Sequence, residues 1–276
     1  MRAAGAGPLV MFVHGFPEFW YEWRRQLVDF GRDHLAVAPD MRGYNLSVQA
    51  DRSWPTTAVA EARRGHPALA THLGHSALHP GGARLGRRRG LGVRDGPPRD
   101  ARTPGADQRA ASAVFARELR ENPAQQKASQ YMLLFRSPEA EAVLSADTHQ
   151  ALRVALGDVW DKRFTDEDRR MYLEAWSRPG GLTGGLNWYR AARVGPPTAD
   201  APARSLVDPA ALPVIEVPTL VIWGEQDRAL TTGNLDGLDK YVRHLTITRV
   251  PDGTHWVVHE QPELITREVR AFMRKS

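Results

Sequence analysis

The sequence contains no cysteine and no long apolar run, and these absences exclude several classes of protein. Without cysteine, the 276-residue chain has neither disulfide bonds nor thiolate metal ligands. No apolar run approaches the roughly 18 to 20 residues of a membrane-spanning helix, and the start, MRAAGAGPLV, lacks the apolar region of a secretory signal. We therefore expect a globular, cytoplasmic protein with no metal, cofactor or membrane partner. Its oligomeric state stays unknown at this level.

Large apolar residues are scarce between residues 51 and 112. This segment has one aromatic residue, Trp54, and no Ile, Met, Phe or Tyr, so it can bury little surface. It holds 11 Arg, no Lys and 5 acidic residues, a net charge of +6, whereas the whole chain carries +5. Since no aromatic residues alternate with the basic ones to stack on bases, we expect no specific nucleic-acid partner. A non-catalytic basic protein that binds a polyanion is the alternative from another functional class.

Short apolar runs alternate with helical patterns at both ends of the chain. Residues 10–13 and 34–40 read as strands, and the apolar residues between them recur at helical spacing. The C-terminal part is predicted as strand 218–227, helix 235–242, strand 245–250 and a closing helix that starts at Pro262. This alternation predicts an α/β fold, with both ends in one doubly wound, mostly parallel sheet.

A helical pattern with Leu, Ala, Met and Tyr at helical spacing occupies the interval from Pro123 to about Arg193. We interpret it as a helical cap inserted into the sheet domain. The predicted organisation is residues 1–120 for the first part of the core, with 51–112 anomalous, then 121–205 for the cap and 206–276 for the second part of the core.

The turn that follows the first apolar strand has a sequence suited to binding a negative oxygen. His14 and Gly15 come directly after the strand, and Gly permits the tight bend that could bring the Phe16 N–H towards a developing oxyanion. A plain strand-to-helix turn, in which Pro17 and Glu18 begin the helix, explains the same residues equally well.

Two polar residues follow consecutive strands near the C-terminus. Asp227 ends the strand in VIWGEQD, and His255 lies in a loop before the closing helix. At the carboxyl edge of a parallel sheet, an imidazole could act as a general base and a carboxylate could orient it. The order Asp then His on neighbouring strand ends favours a catalytic pair over two unrelated surface residues.

Six segments together resemble the epoxide hydrolases of the α/β-hydrolase superfamily: HGFPEFWYEWR, APDMRGYNLS, YMLLFR, LNWYR, LVIWGEQDRAL and GTHWVVHEQPE. The resemblance implies hydrolysis of an apolar epoxide to a diol with water, through an ester on an Asp nucleophile. It implies that His255 is the base, Asp227 its partner, and Tyr131 and Tyr189 donors to the epoxide oxygen. The implied oxyanion and substrate-binding residues are His14, Gly15, Phe16, Pro17, Trp20 and Trp188.

The two tyrosines suit ring opening, because a phenol with a reference pKa near 10 can donate to an oxygen on which charge builds. Packing in the core of amphipathic helices is the alternative reading of Tyr131 and Tyr189. The pair distinguishes the resemblance from the related haloalkane dehalogenases, which hold a departing halide instead. A dehalogenase remains an alternative that halide release would support.

The nucleophile of the family is absent from the sequence. It belongs to a Gly-His-Asp-Trp-Gly-Gly segment that this chain does not contain. Gly74-His75-Ser76 gives part of a Gly-x-Ser-x-Gly elbow, but Leu78 occupies the position of the closing Gly. A serine-type hydrolase with Ser76 as nucleophile is therefore a further alternative, which loss of ester turnover in Ser76→Ala would support.

A change of reading frame explains the missing segment. Read one base later, the codons behind residues 80–87 permit Leu-Val-Gly-His-Asp-Trp-Gly-Gly, and those behind 104–112 permit a following apolar strand. Two compensating frame changes, one upstream of His79 and one near Ser112, would also explain the excess of Arg. Arg84 then occupies the position of the nucleophile and Leu85 that of a second oxyanion donor, so we expect this chain to be impaired as an enzyme.

Overall fold

The computed structural model describes residues 1–47, 72, 84–85, 91–94, 106–192, 195–203 and 214–275. In this part of the chain the strands are β1 (Arg2–Ala4), β2 (Leu9–Phe12), β3 (Leu35–Ala38), β4 (Arg84–Leu85), β5 (Leu91–Arg94), β6 (Thr219–Gly224) and β7 (Leu245–Val250). The α-helices are α1 (Arg24–Phe30), α2 (Ala106–Glu121), α3 (Pro123–Ala128), α4 (Tyr131–Arg136), α5 (Ala140–Leu156), α6 (Asp166–Ser177), α7 (Thr183–Ala192), α8 (Val257–Glu260) and α9 (Pro262–Met273).

The strands pair in two sheets. The first has the order β1-β3-β2-β4, in which β2 is parallel to both β3 and β4, and β1 is antiparallel to β3. The second has the order β5-β6-β7, with β6 parallel to β7 and β5 antiparallel to β6. Among the described strands, β4 and β5 lie against each other and connect the two groups.

One apolar core joins the two ends of the chain. Phe12 of β2 and Ile222 of β6 belong to the same buried cluster, together with Phe30 of α1. The closing helix α9 adds Ile265 and Val269, which are completely buried and one helical turn apart. This spacing puts both residues on one apolar face of the helix, which explains why α9 packs on the sheet.

The described part between α2 and residue 192 is helical. Helix α6 begins with a capping box, in which the Thr165 side chain accepts from the Asp168 N–H while Asp168 accepts from the Thr165 N–H. Asp168 also forms an ion pair with Arg24, the first residue of α1, with an N···O distance of 2.8 Å. The indole N–H of Trp176 in α6 donates to the Pro17 carbonyl at 2.8 Å. The contacts of Asp168 and Trp176 hold α6 against α1 and the turn after β2.

The helix predicted over residues 235–242 is wrong. Two short 3₁₀ turns, Thr232–Leu235 and Leu238–Lys240, occupy the region instead. Gly237 separates them with a φ of 77°, a left-handed conformation that interrupts a right-handed helix. The Asp236-Gly237 pair, which is typical of a turn, is the signal in the sequence for this interruption.

In the part of the chain that the structure describes, no helix is long and apolar enough to cross a membrane. The proposed elbow with Ser76 and the predicted boundary at residue 205 lie outside the described residues.

Candidate functional site

His255 and Asp227 form the hydrogen-bonded pair that their positions after β7 and β6 predicted. The His255 Nδ1 lies 2.8 Å from the Asp227 Oδ2. The other carboxylate oxygen accepts from the backbone N–H groups of Ala229 and Leu230, at 2.7 and 2.9 Å. Since Nδ1 faces the carboxylate, Nε2 is the nitrogen that can take up a proton. The Asp227 side chain is 8% exposed and that of His255 is 33% exposed, so the carboxylate is enclosed while the imidazole is accessible.

Gly224 makes this pair possible, and the sequence analysis did not identify it. It ends β6, and a Cβ at this position would lie 2.2 Å from the carbonyl oxygen of Thr254. Only glycine allows the backbone directly before His255 to lie so close to the strand that leads to Asp227. The sequence WGEQD shows Gly224, but it does not show that the Thr254 backbone packs against this residue.

His14 supports the turn after β2 through both ring nitrogens. Its Nδ1 lies 2.8 Å from the Gly15 carbonyl oxygen, and its Nε2 accepts from the Met41 N–H at 2.9 Å. Because Nε2 accepts, Nδ1 carries the proton and the ring is neutral. His14 therefore connects the turn after β2 to the loop after β3. Gly15 faces open space, with no atom within 4 Å of a Cβ built on it.

The structure does not begin a helix at Pro17 and Glu18, the alternative reading of this turn. The first helical turn is a 3₁₀ segment, Trp20–Trp23, which continues into α1.

Two tyrosines from different helices lie over the same space. Tyr131 begins α4 and Tyr189 lies in α7, and their ring centroids are 6.3 Å apart at an interplanar angle of 78°. Phe16 packs against Tyr189 with a centroid distance of 6.0 Å. A Cβ on Gly185, also in α7, would lie 2.2 Å from the Phe16 ring, so the absence of a side chain at this position leaves space for the ring.

Two adjoining cavities meet at these residues. The smaller has a volume of about 150 Å³ and includes Asp227, Trp188 and Gly15 in its lining. The larger has a volume of about 810 Å³ and extends along α5 and past Pro17. The residues that line both cavities are Phe16, Tyr131, Tyr189, Thr254, His255 and Trp256.

Two of the predicted site residues whose side chains are described line neither cavity. Trp20 lines neither of the two cavities; its ring packs between the sheet core and the aromatic cluster of the helical segment. His14 is 1% exposed and supports the turn from behind instead of facing either cavity. The sequence FPEFWYEW does not show which aromatic rings face a cavity and which pack in the core, because that depends on contacts with distant residues.

An acidic cluster beside the small cavity, formed by Glu18, Glu22, Tyr172 and His259, was missed by the sequence analysis. Glu18, Tyr172 and His259 are buried, and Glu22 is partly buried with its Oε2 enclosed. The Tyr172 hydroxyl donates to the Glu18 Oε2, and the His259 Nε2 lies 3.1 Å from the Glu18 Oε1. Glu18 and Glu22 both line the small cavity. The signal was present in FPEFWYEW, where two acidic residues stand four apart among aromatic rings.

Burial changes the acidity of two members of this cluster. It raises the pKa of Glu22 well above its ordinary value of 4.5, and the negative charge of Glu18 raises it further, while a hydrogen bond from the Gly15 backbone opposes the shift. Burial, followed by the charge of Glu18 and the hydrogen bond to it, raises the pKa of Tyr172 well above 10.0. Glu22 is therefore a neutral carboxylic acid at a pH where exposed glutamates are ionised.

Glu22→Gln is expected to stabilise the protein more at pH 8 than at pH 5. The folded state holds a proton on Glu22 that the unfolded state releases above pH 4.5, so the free energy of unfolding falls as pH rises towards the folded pKa. A neutral amide removes this loss. One pKa unit corresponds to about 1.4 kcal/mol, and about 1 kcal/mol moves Tm by roughly 2–4 °C in a domain of this size. The measurement is Tm of both proteins at the two pH values.

Glu263→Gln is the matched control, because the Glu263 side chain is 80% exposed. It should change Tm by similar small amounts at both pH values. An equal effect of Glu22→Gln at pH 5 and pH 8 would contradict the assignment of a neutral carboxyl group.

No group of three or more His, Asp or Glu side chains in the described ranges is arranged to hold a metal ion. The residues around the two cavities offer an imidazole paired with a carboxylate, two phenols, a glutamic acid with a raised pKa and backbone N–H groups.

Arg84 lies in β4, and only its backbone position is described. It pairs with Met11 in parallel register, and Leu85 pairs with Phe12, two residues before His14. The residue predicted to replace the nucleophile thus belongs to the strand beside the one that leads into the His14-Gly15 turn.

Comparison with known proteins gives consistent relatives. The model of the alpha/beta hydrolase family matches residues 10–268. The AB hydrolase superfamily protein YfhM of Bacillus subtilis is 30% identical over 284 residues, which cover 100% of this chain and 94% of that protein. Epoxide hydrolase 2 of Caenorhabditis elegans is 28% identical over 285 residues, covering 98% of this chain and 75% of the relative. The crystal structure of Bacillus megaterium epoxide hydrolase with an inhibitor has a TM-score of 0.79 and 26% identity, covering 99% of this chain and 95% of that one.

Proposed function

The chain belongs to the alpha/beta hydrolase family, and we propose that its reaction is the hydrolysis of an apolar epoxide to a diol. The two phenols of Tyr131 and Tyr189 carry this proposal, because they line both cavities together with His255. Ring opening needs a donor for the epoxide oxygen, and ester hydrolysis needs a base, so the cavities hold the groups for both steps. The relatives named epoxide hydrolase agree with this reading. Water is the second substrate, and no cofactor takes part.

In the proposed first step, an Asp carboxylate attacks one epoxide carbon. The carbon–oxygen bond of the ring breaks, an ester forms, and the ring oxygen takes a proton from Tyr131 or Tyr189. Charge develops on that oxygen in the transition state, so donors that are already in place lower the barrier.

In the proposed second step, water attacks the ester carbonyl carbon while the His255 Nε2 accepts a proton from it. Asp227 stabilises the imidazolium that forms, through the 2.8 Å contact to Nδ1. The Phe16 N–H is the proposed donor to the oxyanion of the tetrahedral intermediate. When this intermediate collapses, the ester carbon–oxygen bond breaks and the leaving alkoxide takes the proton from the His255 imidazolium, which releases the diol. The proton left on the new Asp carboxylic acid returns to the tyrosine phenolate, so the Asp carboxylate, the neutral imidazole and both phenols are restored.

We infer that the chain with Arg84 in the nucleophile's position is impaired in the first step. A guanidinium stays protonated and has no carboxylate oxygen, so it cannot form the ester. The parallel pairing of Arg84 with Met11 supports this assignment, because it sets β4 beside the strand that leads to the proposed oxyanion turn. Loss of a covalent nucleophile typically costs on the order of 10⁴ to 10⁶ in rate.

Sequencing the gene across codons 45 to 115 tests the proposed origin of this impairment. The frame change requires GGG-GCA-CGA behind Gly82-Ala83-Arg84, because only these third bases spell Gly-His-Asp in the shifted frame. We expect these bases, with one base missing or added upstream of His79 and a compensating change near Ser112. Other codons at these positions would make residues 51–112 a true insertion and would leave a hydrolase fold without a nucleophile.

The alternatives have separate tests on the same chain. Halide release from a haloalkane would favour a dehalogenase, and ester turnover that disappears in Ser76→Ala would favour a serine-type hydrolase. Salt-sensitive binding of a polyanion without any hydrolysis would favour the non-catalytic basic protein. The proposed reaction predicts none of the three.

A further inference from the structure

A buried glutamine amide contacts the loop that carries Asp227. Gln125 lies in α3 and is 0% exposed. Its Nε2 donates to the Ala229 carbonyl at 2.9 Å, and its Oε1 accepts from the Thr231 N–H at 3.0 Å. The Asn234 amide also donates to this oxygen, at 2.6 Å. Several polar groups of residues 229–234 therefore converge on one side chain from another element.

The same loop also provides two backbone hydrogen-bond donors to the Asp227 carboxylate. The Ala229 N–H donates to the Asp227 Oδ1, while the Ala229 carbonyl accepts from Gln125. The Leu230 N–H is the second donor to this carboxylate oxygen. The peptide groups on both sides of Ala229 are thus held, one by the carboxylate and the other by the buried amide. The Gln125 amide fixes the backbone whose N–H groups orient the carboxylate towards His255.

Gln125 also reaches the segment that leads to Tyr131. Its Nε2 donates to the Ser129 Oγ at 2.8 Å, and Ser129 is completely buried two residues before Tyr131. One side chain therefore contacts both the loop after β6 and the connection between α3 and α4.

We propose that Gln125 is a positioning residue, which holds the loop after Asp227 in the conformation that presents the carboxylate to His255. The inference rests on the roles proposed above for Asp227 and His255. Its contact to Ser129 ties the same loop to the start of α4, so the acid–base pair and the Tyr131 phenol keep a constant separation. A buried amide can do this because it offers donors and acceptors in one rigid plane, and no water is needed to complete the set.

The direct readout is the imidazole N–H proton of His255 in the NMR spectrum of the full chain. A hydrogen bond from Nδ1 to a carboxylate moves this signal downfield and slows its exchange with water. Asp227→Asn identifies the signal by its loss or upfield shift. Gln125→Ala is expected to broaden the signal or to raise its exchange rate at least about tenfold, because the Asp227 loop loses its fixed partner.

Gln126→Ala is the matched control. Gln126 is the next residue and donates to the Leu119 and Arg120 carbonyls, at 3.0 and 3.2 Å, on the far side of the helix junction. Its replacement removes two hydrogen bonds of the same kind without touching the Asp227 loop. We expect the His255 signal to stay as in the unchanged chain, so general loss of stability cannot imitate the effect of Gln125→Ala.

Gln125→Glu decides the matter if Gln125→Ala does not fold. It keeps an oxygen for the Thr231 and Asn234 donors and, when ionised, loses the donor to the Ala229 carbonyl. The signal should then exchange faster than in the unchanged chain and slow again at low pH, where the carboxylic acid regains a donor. A folded variant that keeps the original exchange rate, or an unchanged chain without a downfield signal, would overturn the proposal. No epoxide is used, so failure of the proposed hydrolysis and failure of this inference are distinguishable.

Discussion

A gene restored to the shifted frame between His79 and Ser112 is expected to encode an epoxide hydrolase about 10⁴ to 10⁶ times faster than the chain with Arg84. The restored segment reads Gly-His-Asp-Trp-Gly-Gly, so an Asp carboxylate replaces the guanidinium of Arg84. The other residues of the proposed mechanism need no change, because His255, Asp227 and the two tyrosines lie outside residues 79–112. The measurement is the initial rate of diol formation from styrene oxide and from a long-chain alkyl epoxide, for both proteins under the same conditions.

The restored chain with Asn in place of the new Asp is the control for this comparison. Its amide has nearly the same shape but is a poor nucleophile, so its rate should fall to that of the chain with Arg84. This control separates the nucleophile from any general improvement in folding that the restored strands bring. A restored chain that folds and still produces no diol would contradict the epoxide assignment and would favour the dehalogenase or serine-type alternatives.

In the restored chain, His255→Gln is expected to reduce turnover by about 10² to 10⁴, the usual contribution of a general base. The first step does not use the imidazole, so the ester should still form and then persist. Intact-protein mass spectrometry after mixing with epoxide should show an increase equal to the mass of one substrate molecule. Accumulation of this adduct, together with loss of turnover, would separate the two proposed steps.

His244→Gln is the matched control for the base, because His244 is an exposed histidine just before β7. It should leave the rate unchanged and show no adduct. If His255→Gln turns over as fast as the restored chain, or loses activity without any adduct, His255 does not act as the base of the second step. A slow first step in His255→Gln would instead indicate that the imidazole also affects formation of the ester.

The sequence by itself determined most of the fold, because its signals are local. The apolar runs of β2, β3, β6 and β7 need only their own residues to be recognised, and so does the closing helix α9, which the sequence predicted from Leu264, Val269 and Phe272. The structure adds that Ile265 is buried and that Leu264 is only partly buried. The local prediction failed over residues 235–242, where Gly237, with a φ of 77°, separates two 3₁₀ turns in place of the predicted helix. Residues 106–112 also show that local sequence sets local structure. Their Ala, Gln and Arg residues favour a helix and form the start of α2, whereas the shifted frame would encode a strand there.

The sequence also predicted which residues would meet at the site: Asp227 and His255 from their order on consecutive strand ends, and the two tyrosines. The structure brings these residues together, and their chemical roles stay a proposal. The resemblance to a family, and not spacing alone, named the tyrosines as a pair. The missing nucleophile could be recognised only because the neighbouring segments of the family were present around it.

Only the tertiary structure decided which side chains share a space, because contacts between distant segments leave no periodicity in the sequence. It separated Trp188, which lines the small cavity, from Trp20, which packs in the core. It showed that Glu22 is enclosed beside Glu18, where burial and the charge of Glu18 raise the pKa of Glu22. It also set Gln125 against a loop about 100 residues away, where hydrogen bonds to Ala229 and Thr231 satisfy an amide that the sequence shows as one polar residue of a helix.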